Sequence, residues 1–62
     1  MNTFNVYLYD DEDIVKILAD EAQLVKISES VTLLQFVNKS DDETTVVAIF
    51  NMANILGFEK LF

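Results

Sequence analysis

Apolar residues fall in short runs along the chain, separated by clusters of acids and small polar residues. Asn5-Val6-Tyr7-Leu8-Tyr9 is rich in β-branched and aromatic side chains and is broken by Asp10-Asp11-Glu12-Asp13. Val31 to Val37 forms a second such run, Asn38 to Glu43 a polar loop, and Thr44 to Phe50 a third run. Two β-rich runs around a short polar loop predict a hairpin. Asn51 to Leu56 has the length of one helical turn. Gly57 is the single glycine and can take a positive φ without steric penalty, so it is expected to turn the chain. Phe58 to Phe62 would then return as a short edge strand.

Two readings compete for the stretch from Asp10 to Ser28. In the first, Asp10 caps a helix, and Asp11, Glu12 and Asp13 sit at the positive end of its dipole. Ile14, Ile17, Leu18, Ala22 and Val25 then share one helical face. In the second, Ile14 to Ala19 and Val25 to Ser28 are strands, supported by their β-branched residues, and Asp20-Glu21 is the turn between them. The helical reading gives an α+β fold with one helix near residues 11–20. The strand reading gives a mainly-β fold, a small antiparallel meander or open barrel of five to six short strands.

In the meander, successive turns alternate between two ends of the sheet. Asp20-Glu21 and Asp41-Asp42-Glu43 then share one end, and Asp10 to Asp13 share the other with Glu29. The two central runs are apolar on both faces. Leu33, Val37, Val47 and Ile49 have one parity, while Leu34, Phe36, Val46, Ala48 and Phe50 have the other. Each face needs cover, from the sheet curling on itself or from a second copy, and a homodimer is the expected solution.

Composition narrows the chemistry. The chain has 62 residues, so residues 1–62 are read as one small domain. More than half of them are hydrophobic, which excludes a disordered tail. Four lysines against eleven acids give 4 − 11 = −7. That charge repels phosphate backbones and anionic lipid, so neither nucleic acid nor membrane is an expected partner. It favours a protein partner with a basic surface. Met1-Asn2-Thr3-Phe4 shows no basic n-region, and no apolar run approaches the ~18 residues of a membrane helix, so a cytoplasmic location is expected.

Catalytic raw material is scarce. The absence of His and Cys removes the usual general base, the thiol nucleophile and the commonest metal ligands. Ser28, Ser30 and Ser40 have no imidazole to activate them. Paired carboxylates remain, but those in exposed turns lack the apolar pocket that raises a catalytic carboxyl pKa. Asp10 to Asp13 and Asp41 to Glu43 offer hard oxygen ligands without the spacing or glycine of an EF-hand loop. The expectation is a non-enzyme with no cofactor and no metal. The phenylalanines read as core, whereas Tyr7 and Tyr9 share a strand parity and suit a sheet rim or a partner surface.

The pattern Asn5-Val6-Tyr7-Leu8, Val15-Lys16-Ile17, Ala19-Asp20-Glu21-Ala22, Val47-Ala48-Ile49-Phe50-Asn51 and Asn54-Ile55-Leu56-Gly57-Phe58-Glu59 resembles short acidic accessory proteins of phages and prophages of Gram-positive bacteria. The resemblance implies an all-β fold and so favours the strand reading. It also implies a habit of blocking host nucleic-acid-handling or defence enzymes, including CRISPR effectors, whose channels are strongly basic. The contact set expected for such an inhibitor is Asp10, Asp11, Glu12, Asp13, Asp41, Asp42 and Glu43, with Tyr7 and Tyr9 as anchors. The alternative is a structural, self-assembling small β protein whose acids serve solubility alone.

Overall fold

The computed structural model describes residues 1–10 and 12–61. Six strands and one 3₁₀ turn follow in the order β1 (Asn2–Leu8), β2 (Ile14–Ala19), β3 (Glu21–Ser28), β4 (Val31–Ser40), β5 (Glu43–Asn51), η1 (Met52–Asn54) and β6 (Ile55–Lys60). The expectation of a mainly-β antiparallel fold of five to six short strands holds, with six strands present. The strands divide into two open three-stranded sheets, ordered β2-β1-β6 and β3-β4-β5, with no closed barrel. The helical alternative for residues 11–20 is excluded where the chain is described, because Ile14–Ala19 is a strand.

Register explains why the strand wins there. β2 pairs with β1 so that Ile17 lies opposite Phe4 and Val15 opposite Val6. Alternation turns Val15, Ile17 and Ala19 to the core and leaves Ile14, Lys16 and Leu18 exposed. β6 closes the other edge of β1, with Phe58 opposite Val6 and Ile55 opposite Leu8, and a bulge at Leu56. Gly57 does not turn the chain as expected. It lies within β6 opposite Tyr7 and has no positive φ, because the turn is made earlier, at η1. There Asn51 acts as the cap, its side-chain oxygen accepting from the Ala53 N–H at 3.0 Å.

Asp20 was expected to close a hairpin with Glu21, but β2 and β3 do not pair. Asp20 is instead the corner at which the chain leaves one sheet and enters the other. Its N–H donates to the Val37 carbonyl and to Asn38 Oδ1, both at 3.0 Å. Its Oδ2 accepts from the Lys39 N–H at 2.7 Å, and its carbonyl accepts from Asn2 Nδ2 at 2.8 Å. The corner's polar groups are thereby satisfied without a ladder.

Both sheets turn one face inward onto a core of Phe4, Val6, Ala19, Leu34, Phe36 and Ile55. Phe36 is its hub. The ring lies 5.1 Å from Phe4, 6.0 Å from Phe50 and 6.2 Å from Phe58, centroid to centroid, so it touches aromatic rings from both sheets. Of the phenylalanines read as core, Phe4 and Phe36 are buried and Phe50 is half-buried. Phe58 stays 38% exposed because β6 is an edge strand, and Phe62 lies outside the described residues.

Candidate functional site

The break after β1 builds an open groove of about 550 Å³. Among the described residues it is lined by the apolar Leu8, Ile14 and Leu56, by Tyr7 and Tyr9, and by the acids Asp10, Glu12 and Asp13. β1 and β2 position Tyr7, Leu8 and Ile14 by direct pairing, with Tyr7 opposite Ile14. Leu56 arrives from the bulge in β6, and Tyr9 is fixed by its N–H donating to the Asn54 carbonyl of η1 at 3.1 Å. Among the described residues no lysine lines the groove.

Five of the sequence-predicted contact residues therefore surround one concavity: Tyr7, Tyr9, Asp10, Glu12 and Asp13. Asp11 lies outside the described residues. Tyr7 and Tyr9 differ in setting. Tyr7 is half-buried in β1, whereas Tyr9 follows the end of the strand and is 63% exposed.

Asp41, Asp42 and Glu43 lie elsewhere. Asp41 and Asp42 form the β4–β5 turn and Glu43 opens β5, at the end of the second sheet where Glu21 pairs with Val37. That end adjoins Asp20 and the start of β1, and the groove adjoins the end of β1. Seven residues of β1 separate the two, roughly 20 Å of extended chain. The acids thus form two separate surfaces. Asp41 carries a φ of 47°, a left-handed conformation that the short polar side chain of Asp tolerates.

Behind the groove, Tyr7 O–H donates to Glu59 Oε1 at 2.5 Å. This partner is not legible from residue order, because the two residues are 52 positions apart and meet through the β1–β6 pairing. Leu56 and Ile14 were also missed. Their exposure beside acidic residues follows from the bulge and the strand parity, and neither is legible without the register. The bond to Glu59 raises the Tyr7 pKa above the ordinary tyrosine value, with the Asn5 side chain acting in the opposite direction. The raised value means the folded state holds the phenolic proton more tightly. Its contribution is present below the unfolded pKa and fades as pH rises through the folded one. Glu59→Gln is expected to bring the Tyr7 titration down toward pH ~10, read from its ring resonances by NMR. An unchanged midpoint would show that the bond does not persist in solution.

Asn5 sits beside Tyr7 in the row Lys16–Asn5–Glu59 and is buried, with its Oδ1 lacking a hydrogen-bond partner among the described residues. Among the described residues no group of three or more acids is arranged to hold a metal ion, and no helix is long and apolar enough to cross a membrane. No family model, no curated protein and no solved structure matches the chain.

Proposed function

We propose that the chain is a non-enzymatic accessory protein of a phage or mobile element that binds and inhibits a host protein through the groove between Tyr7 and Ile14. The reading rests on one observation: among the described residues, three acids and two tyrosines line a concavity that no lysine lines. Such a site suits a Lys or Arg side chain. The carboxylates supply charge-assisted hydrogen bonds, the tyrosine faces attract the cation, and Ile14 and Leu56 cover its aliphatic stem. A chain of net charge −7 also steers such a partner inward from beyond contact distance. Host enzymes that handle nucleic acid, CRISPR effectors among them, present basic channels of this kind. Occupying one denies it to phosphate. The chain itself brings neither a catalytic group nor a cofactor to the encounter, which takes place in the bacterial cytoplasm.

Affinity capture from a Gram-positive bacterial lysate at low and high salt tests this. A basic nucleic-acid enzyme retained at low salt, shed at high salt and displaced by added DNA or RNA is the expected result. Capture that is indifferent to salt and to nucleic acid, or no capture at all, would overturn it.

A second reading, the self-assembling β protein, draws on exposed apolar side chains along β5, where Val46, Val47 and Ile49 all face solvent at least in part. It concerns a different surface and is compatible with the first.

A further inference from the structure

We infer that the open space over Gly57, on the outer face of the β2-β1-β6 sheet, receives an arginine side chain of the partner, its guanidinium set between Tyr7 and Glu59. This rests on the groove reading above and adds to it a second contact of defined chemistry, beside the cation seated among Asp10 and Glu12.

Nothing within the chain asks for a glycine at position 57. Glycine inside a strand weakens it and calls for a reason. Three internal reasons are ordinary, and none applies. A positive φ is the first, and Gly57 does not have one. The adjoining bulge is the second, but its extra residue is Leu56, and a bulge that requires glycine requires it in the left-handed conformation. A close neighbour is the third. Apart from Gly57 itself and its two chain neighbours, no atom of the described residues lies within 4 Å of where a Cβ would stand. What remains is close approach from outside, the other circumstance that strand glycines mark.

Tyr7 strengthens the case. It stands directly opposite Gly57, where an aromatic ring can fold over a cross-strand glycine. Its hydroxyl is held instead by Glu59 Oε1, two residues further along β6. Alternation puts Tyr7, Gly57 and Glu59 on one face, so the tyrosine and the carboxylate border an opening that neither fills. The opening adjoins the groove, which Tyr7 and Leu56 line.

Chemistry identifies the occupant. The Glu59 carboxylate and the Tyr7 oxygen are acceptors, and the next residue on the face is short of a donor. Asn5 is only 9% exposed, and its Oδ1 has no partner among the described residues. Lys16 does not answer Glu59, because the row Lys16–Asn5–Glu59 sets them two strands apart, roughly 10 Å. A guanidinium is flat, carries five donors, lies against a tyrosine ring and bonds a carboxylate through two N–H groups at once. An ammonium is a compact, strongly hydrated point charge and gains less from a flat opening. Leu56, 63% exposed, covers the aliphatic stem.

NMR titration of the whole chain with N-acetyl-arginine amide, against N-acetyl-lysine amide at matched ionic strength, is the test. Saturable shifts are expected at Tyr7, Gly57 and Glu59 with the arginine compound, and weaker ones with the lysine compound. Gly57→Val fills the opening without meeting a neighbour, and valine suits a strand better than glycine. Its urea midpoint is therefore expected to hold or rise while the arginine shifts are lost. Glu59→Gln keeps an acceptor for Tyr7, removes the charge and should weaken the same shifts. Equal responses to the two amides, or a Gly57→Val chain that responds as the wild type does, would overturn the inference. So would a Gly57→Val chain that unfolds or has a lowered midpoint, since the glycine would then serve the fold itself. Shifts confined to Asp10, Glu12 and Asp13 would overturn it and leave the groove standing. Loss of the groove reading is seen separately, in lysate capture that is absent or indifferent to salt.

Discussion

Phe36→Ala is expected to leave the chain largely unfolded at room temperature. The ring is fully buried and touches Phe4, Phe50 and Phe58, so one substitution removes the aromatic contacts that join the two sheets. Truncating a buried phenylalanine costs about 3–5 kcal/mol. A domain of 62 residues holds roughly 3–9 kcal/mol in total. The loss is thus of the same size as the whole stability, and no disulfide is present to limit it. Circular dichroism and urea titration read the outcome. Phe58→Ala, at an edge position that is already partly exposed, should cost much less. A Phe36→Ala chain with a near-native urea midpoint would show that the sheets are held together by something other than this cluster.

The same hub marks how far the sequence could be read. Local features were legible: the break at Asp10 to Asp13, the β4–β5 hairpin and the turn at Met52–Asn54 all follow from residue type within a few positions. Features made by distant pairing were not. The middle segment fits a helical face as well as a strand until Phe4 and Val6 are set beside Ile17 and Val15. β6 returns to β1, and no run of residues announces that choice. Asp20-Glu21 looks like any two-residue acidic turn, and only its bonds to Val37, Asn38, Lys39 and Asn2 make it a corner. One extra residue in β5, Val47, was enough to change the parity of Val46. For the site, the sequence singled out the acids and tyrosines, and the fold then separated them. One acidic cluster received tyrosines and a concavity, and the other received a tight hairpin turn.

That separation leads to the second large effect. Reversing Asp10 and Glu12 to lysine is expected to weaken partner binding about 100-fold, while reversing Asp42 and Glu43 to lysine changes it by no more than a few-fold. Each double variant moves the net charge by the same amount, −7 + 4 = −3, so long-range attraction is lowered equally in both. What differs is the groove. A cationic side chain seated among Asp10, Glu12 and the tyrosines meets two like charges at contact distance after reversal, a penalty of several kcal/mol. At the β4–β5 turn, roughly 20 Å away, the same reversal is screened by solvent and salt. Asp13 is left in place because it has an interaction of its own, and Asp41 because lysine tolerates its φ of 47° poorly. All four substituted positions are exposed, so the thermal midpoint should move little in either variant. Titration calorimetry against the captured host protein reads the affinities. Equal losses in the two variants would reduce the acids to a diffuse field with no site. Unchanged binding in both would end the case for an acidic inhibitor.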